Sequence, residues 1–200
     1  MKEYRIYLLL FIAVLIVAAC QHRPKEPEMR EQVKQDEAIE VDKESNEVKP
    51  FEVELMDQEG VEVGTATFVE DEDGVHIAVN AHHLIPGEHG FHIHEKGICE
   101  TPDFESAGGH YNPEGKEHGF DNPRGPHAGD MENLEVNEDG IVEQLVINNQ
   151  ITLEKGKPNS LFTDEGTALM IHSNPDDYVS QPAGNAGERV ACGVISKKKK

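Results

Sequence analysis

The sequence has no tryptophan, few basic residues and no hydrophobic run of 18 or more residues, the length typical of a transmembrane helix. Its 200 residues include 18 lysines and arginines against 39 aspartates and glutamates, which gives a formal net charge of −21. A nucleic-acid-binding protein needs a basic surface that neutralises phosphates, so this balance argues against nucleic acid as a partner. Hydrophobic residues make up 36% of the chain. This is low for a globular protein, but it still allows a core.

Histidine is the residue type that stands out against this background. The chain has eleven histidines, and most of them lie between His82 and His127. Imidazole is the commonest metal ligand among side chains, and it suits zinc and copper. Clustered histidines in an acidic chain therefore indicate a transition-metal site before any other function.

Fourteen residues without a charge extend from Ile6 to Ala19 near the N-terminus. As a helix this run would be about 21 Å long, short of the ~30 Å hydrocarbon core of a bilayer. We therefore expect residues 1–19 to be a secretory signal peptide and not a transmembrane anchor. The run ends in Val-Ala-Ala-Cys, which resembles a bacterial lipobox, so Cys20 is expected to carry lipid. The alternative is an ordinary signal peptide with an incidental cysteine.

Two polar segments flank the central part of the chain. Residues 21–50 hold nine acidic and six basic residues and three prolines, and they lack apolar periodicity, which predicts a disordered spacer. A lipidated Cys20 with residues 20–50 as its tether would hold an exported domain on the outer face of a bacterial cell membrane. The one dense basic run, Lys197–Lys200, is either a solvated tail or a contact with anionic lipid or cell-wall polymer.

The pattern of residues 51–196 predicts an all-β domain. Short alternating or apolar runs, separated by turn clusters of glycine, proline, aspartate and asparagine, are typical of a sandwich or barrel. Two long segments rich in glycine and proline, 96–130 and 173–188, lack a strand pattern, and loops of this length are usually functional. The predicted strands are 51–55, 61–69, 75–79, 141–147, 168–171 and 189–195.

His92 and His94 are two positions apart on a further predicted strand, so both rings lie on the same face. Alone this is a weak signal. It gains weight because six histidines and one carboxylate are enough for two metal ions, and a carboxylate can complete a tetrahedral zinc site. The other candidate ligands are His110, His118, His127 and Asp130 in the first long segment and His172 at the end of a later strand.

Four motifs make this domain resemble the copper–zinc superoxide dismutases. In family order they are Gly90–Glu95, Ser106–Pro113, Pro126–Asp130 and Gly184–Ile195. The resemblance covers essentially all of residues 51–196. It implies an eight-stranded Greek-key β-barrel, a flattened sandwich, with a long metal-binding loop and a second long loop over the copper site. The lipobox and spacer are similar to the lipid-anchored bacterial branch of the family.

The resemblance also implies one copper and one zinc ion per chain. Copper would be held by His92, His94, His110 and His172, and zinc by His110, His118, His127 and Asp130. His110 would be shared as an imidazolate. Asp176 would link ligands of both metals from outside, which orients the imidazoles.

The implied activity is superoxide dismutation, in which a bound copper is alternately reduced and oxidised. Arg189 would guide the substrate anion, and His110 would supply one proton. With Cys20 taken by lipid, Cys99 and Cys192 are an even pair in an exported domain, which indicates a disulfide, and the family pattern pairs them.

The net negative charge of the domain is unfavourable for an anionic substrate, because like charges repel. Residues 51–196 hold six basic and 29 acidic residues, yet focusing depends on local charge in a cleft. We therefore expect modest steering that depends mainly on Arg189 and the copper. Two alternatives stay open. One is a copper-binding or copper-delivery module of the same fold, and the other is a structural envelope protein that binds only zinc.

Overall fold

Strands provide nearly all regular structure in residues 49–197, the part of the chain that the computed structural model describes. A 3₁₀ helix, Glu105–Ala107, lies between the fifth and sixth strands. Within these residues no helix is long and apolar enough to span a membrane. The strands are β1 (Phe51–Asp57), β2 (Glu62–Asp71), β3 (Gly74–Ala81), β4 (Gly87–His89), β5 (Phe91–His94), β6 (Leu134–Val136), β7 (Val142–Asn148), β8 (Gly166–His172) and β9 (Arg189–Lys197).

All of the predicted strands are present, most of them longer by one to several residues at an end. Strands β4 and β6 were not predicted, because three residues are too few to show an alternating pattern. The two predicted long loops are also present, as residues 95–133 between β5 and β6 and residues 173–188 between β8 and β9. The predicted signal peptide, the lipidated Cys20 and nearly all of the spacer lie outside the described residues.

Seven strands form one antiparallel sheet in the order β5-β8-β9-β1-β2-β3-β7, and β4 pairs with β6 in a second sheet. Strands β4 and β5 are one stretch of chain interrupted at Gly90, so this stretch takes part in both sheets. Strand β6 leads through a tight turn at residues 137–140 into β7. Counted with β4 and β5 as one strand, the domain has eight strands. The predicted fold class is confirmed: the described part of the chain is all-β, with a curled sheet consistent with a Greek-key barrel.

The barrel interior is filled by the inward-facing residues of these strands. Leu55, Phe68, Ile77, Ile93 and Leu169 have no exposed surface, and full burial of such a side chain contributes about 1.5–3 kcal/mol to folding. Strands β5 and β8 are buried on both faces. Their alternate residues therefore point away from the barrel core, into the space covered by the two long loops. That space holds the candidate site.

The predicted disulfide is confirmed. Cys99 and Cys192 are bonded, with their Cα atoms 5.8 Å apart. The bond ties the first long loop to β9 and borders a small buried cluster that includes Phe104, Ala168 and Met170. The loop that carries several candidate ligands is thereby fixed to the sheet.

Candidate metal centre

Strand β5 positions the first two histidines. Phe91 and Ile93 face the barrel core, so His92 and His94 lie on the other face, and both are fully buried or nearly so. The neighbouring strand β8 ends in His172, whose backbone N–H donates to the Gly90 carbonyl at 2.8 Å. Three imidazoles thus lie side by side at the ends of two paired strands.

The first long loop folds back onto β5 and adds further ligands. The Tyr111 N–H donates to the Ile93 carbonyl at 2.7 Å, and the Ile93 N–H donates to the Gly129 carbonyl at 2.8 Å. A Cβ at Gly129 would lie 2.4 Å from the Ile93 carbonyl oxygen, so this close approach requires glycine. Both arms of the loop are therefore held against β5, and they carry His110 and Asp130.

The candidate ligands form two sets of four, and His110 belongs to both. Within each set the ligand atoms lie within 4.8 Å of one another, and every residue is buried. Each of the six histidines has a buried ring nitrogen that makes no hydrogen bond of good geometry, although the Nδ1 atoms of His118 and His127 lie 3.0 and 3.3 Å from oxygens of Asp130. Such an unsatisfied nitrogen costs about 1–3 kcal/mol, which a bound ion would relieve. The first set is His92, His94, His110 and His172, and the second set is His110, His118, His127 and Asp130.

Asp130 is the centre of the second set. Its Oδ1 lies 2.8 Å from His110 Nδ1 and 3.3 Å from His127 Nδ1, and its Oδ2 lies 3.0 Å from His118 Nδ1. The backbone N–H groups of Gly119 and His127 also donate to Oδ2. Three imidazole nitrogens and one carboxylate are a donor set that fits a tetrahedral zinc ion.

Asp176, from the second long loop, connects the two sets. Its Oδ2 accepts from His92 Nε2 at 2.8 Å, and its Oδ1 accepts from His118 Nε2 at 3.0 Å. Its backbone N–H donates to Asn133 Oδ1 at 2.9 Å, which anchors it to the first loop. Each bond holds one ring with its other nitrogen turned toward a ligand set.

The two sets differ in their electrostatics. Burial lowers the pKa of His110 to about 4, despite the hydrogen bond with Asp130. Burial likewise lowers the pKa of His94 and His172, so these rings are neutral and able to bind metal. Burial also acts to lower the pKa of His118, but the carboxylates of Asp130 and Asp176 on its two sides raise it to about 9. In the absence of a metal ion His118 therefore holds a second proton at neutral pH.

Arg189 lies at the edge of the first set. Its guanidinium donates to the Phe104 carbonyl at 2.6 Å and to the Gly108 carbonyl at 2.7 Å. The Gly108 carbonyl also accepts from His94 Nδ1 at 2.9 Å, so one oxygen orients both side chains. Arg189 lines an open pocket of about 890 Å³ together with Glu59, Asp103, Glu105 and Glu188, among other residues.

The structure brings the predicted metal ligands together with Asp176 and Arg189, whereas Cys20 lies outside the described residues. It also adds features that the sequence did not reveal. The carboxylates of Glu59, Asp103 and Glu105 come from two separate parts of the chain, the turn after β1 and the first long loop, and no sequence pattern groups them. His89 is buried, with its ring nitrogens 2.6 Å from the carbonyl oxygens of His172 and Ile85. It supports the backbone of one candidate ligand.

Comparisons with known proteins agree with this geometry. The family model for copper/zinc superoxide dismutase (SODC) matches residues 62–195. Superoxide dismutase (Cu-Zn) 2 of Aquifex aeolicus (strain VF5) is 56% identical over 143 residues, which is 71% of this chain and 84% of that protein. The superoxide dismutase-like protein YojM of Bacillus subtilis (strain 168) is 42% identical over 195 residues, 96% of each chain.

Two solved structures are also similar. The crystal structure of a SOD-like protein from Bacillus subtilis has a TM-score of 0.70 at 46% identity, over 72% of this chain and 97% of the other. The Cu/Zn superoxide dismutase from Brucella abortus has a TM-score of 0.61 at 33% identity, over 74% of this chain and 99% of the other.

Proposed function

Since the chain belongs to the copper/zinc superoxide dismutase family, we propose that it is an active superoxide dismutase. It converts two superoxide anions and two protons to O₂ and hydrogen peroxide. The observation that carries the proposal is the first ligand set, in which four buried imidazoles converge with unpartnered nitrogens. Bound copper would supply the one-electron redox chemistry, next to a redox-silent zinc ion.

The residues around the two sets would hold the metals in fixed orientations. His92, His94, His110 and His172 hold copper, and His110, His118, His127 and Asp130 hold zinc. Asp176 and the Gly108 carbonyl accept hydrogen bonds from the far nitrogens of His92, His118 and His94. These bonds fix the tautomers, so the near nitrogens present lone pairs to the metals.

Two residues would act on the substrate. His110 would hold a proton at Nε2, the nitrogen on the side of the first set, when no metal occupies that nitrogen, and would donate it to the product. Arg189 binds the superoxide anion, since it is the one cation among the residues lining the pocket in the described part of the chain. The carboxylates of Glu59, Asp103 and Glu105 surround it, so attraction of the anion from a distance is modest.

The sequence features at the chain ends support an extracytoplasmic location. We propose that residues 1–19 direct export and that lipid on Cys20 anchors the enzyme to the outer face of the bacterial cell membrane. The tail Lys197–Lys200 adds a contact with anionic lipid or cell-wall polymer. Retention of the Cys20→Ser variant in the membrane fraction would argue against the anchor.

The main alternative is a copper-binding or copper-delivery module of the same fold. The Bacillus subtilis relative is named only as superoxide dismutase-like. Such a module needs the copper ligands but no pocket open to anions. The open pocket beside Arg189 favours the enzyme.

The test is dismutase activity of the full-length protein loaded with copper and zinc, with excess chelator to silence free copper. We expect activity that His172→Gln abolishes while zinc stays bound. The matched control is His76→Gln, a histidine on β3 outside both sets, which keeps full activity. Metal-loaded protein with no more activity than His172→Gln would favour the delivery module.

A further inference from the structure

A pair of adjacent histidines lies outside the metal centre, where β3 ends. The His82 N–H donates to the Val63 carbonyl at 2.8 Å, so its backbone still follows β2. His83 has a φ of 62°, in the left-handed region that most non-glycine residues avoid. Adjacent side chains on a strand point to opposite faces, but this turn brings the two rings together.

The two rings present the same nitrogen to each other. His82 Nδ1 and His83 Nδ1 form a hydrogen bond of 3.1 Å, in which one nitrogen donates and the other accepts, and the ring planes cross at 82°. A bound ion would replace this hydrogen bond, with the proton of the donor ring moved to Nε2. Metal–imidazole bonds of about 2.0–2.1 Å place two ligands about 3.3 Å apart on a tetrahedral ion and about 2.9 Å apart on a square-planar one. The observed spacing lies between these two values, so the pair can bind one ion with little movement.

The surroundings favour a cation. Both rings are exposed, so water can complete the coordination of an ion. His83 lines a pocket of about 210 Å³ with Asp57, Glu59 and His89. Glu59 also lines the larger pocket beside Arg189, so His83 borders a pocket that adjoins the one beside Arg189.

We propose that His82 and His83 together bind one transition-metal ion at a site separate from the metal centre. Cu²⁺ is preferred over Zn²⁺, because Cu²⁺ binds nitrogen ligands more tightly in the Irving–Williams order. The site has two protein ligands and open positions, so its ion exchanges readily. This inference does not depend on dismutase activity.

The test measures binding of additional Cu²⁺ to the full-length protein already loaded with copper and zinc. Equilibrium dialysis gives the number of bound ions, and paramagnetic broadening of backbone NMR signals locates the ion. We expect one further Cu²⁺ that broadens the signals of residues 82–84. We expect His82→Asn and His83→Asn each to weaken the binding of this further Cu²⁺ about 100-fold, which is the low end of the gain in affinity from linking two binding groups.

The variants are chosen to preserve the turn and to exclude another site. Asparagine tolerates positive φ, so His83→Asn keeps the backbone conformation. His76→Asn is the control, because the half-buried His76 forms a separate cluster with the exposed Asp71 and Asp73. This variant should bind the additional Cu²⁺ as the wild type does. The proposal is overturned if no further Cu²⁺ binds, or if both pair variants bind it as tightly as the wild type.

Discussion

Replacement of Asp176 by asparagine keeps the shape of the side chain and changes the chemistry at one of its ends. In the wild type each carboxylate oxygen accepts one hydrogen bond, Oδ2 from His92 Nε2 at 2.8 Å and Oδ1 from His118 Nε2 at 3.0 Å. Asparagine offers one acceptor oxygen and one NH₂ donor. The ring that faces the NH₂ group must move its proton to Nδ1, because its Nε2 now has to accept. Its Nδ1, which faces the ligand set, then no longer has a lone pair for a metal.

We expect Asp176→Asn to weaken the binding of at least one metal by about 10–100-fold, as for other groups that orient metal ligands. At 1.36 kcal/mol per factor of ten, this is about 1.4–2.7 kcal/mol, similar to one hydrogen bond to a charged group. Competition with a chromophoric chelator measures each affinity, and circular dichroism checks the fold.

The matched control is Asp177→Asn, which makes the same charge change at the exposed neighbouring residue. Asp177 accepts from the backbone of Val179 and Ser180 and contacts neither ligand set. It should bind both metals as the wild type does. If Asp176→Asn binds both metals as tightly as Asp177→Asn, the proposed orienting role is wrong.

Four further predictions address the substrate, the scaffold and the zinc ligands. Arg189→Ala should lower kcat/KM about tenfold, the low end of electrostatic steering, with copper and zinc content unchanged by elemental analysis; loss of metal would show a structural role instead. In wild type, kcat/KM should fall only gently with ionic strength, since carboxylates surround Arg189, and a steep fall would contradict modest steering. The double variant Cys99→Ser/Cys192→Ser should have a free energy of unfolding, measured in urea, about 4–5 kcal/mol lower than the wild type, because the disulfide closes a loop of more than 90 residues. A loss under about 1 kcal/mol would contradict this prediction. Zinc binding at pH 7 should release a proton from His118, because the pKa of this side chain without metal is raised to about 9. Calorimetry in buffers of different ionisation enthalpy measures this release, and zinc binding without release of a proton would contradict the prediction. The same shift stabilises the metal-free protein below the usual pKa of 6.5, and this stabilisation is lost as the pH rises through about 9.

Local periodicity predicted the strand that carries His92 and His94 but not the carboxylates that lie around Arg189. The spacing of His92 and His94 is enough to place both rings on one face of a strand, and the structure has them there. Strand β4 is too short for its pattern to be visible. The carboxylates around Arg189 come from a turn and from both long loops, so only the folded chain reveals that they share a pocket. The contact between His82 and His83 likewise depends on one left-handed residue, which no hydrophobic pattern predicts.

The central claim is that His110 joins two different metal ions through its two nitrogens. Electron paramagnetic resonance tests this claim most directly, on protein with copper in the first set and cobalt in place of zinc in the second. If the His110 ring connects the two ions, their unpaired electrons couple and the copper signal is strongly diminished. A copper signal of full intensity, with both metals bound, would contradict the account.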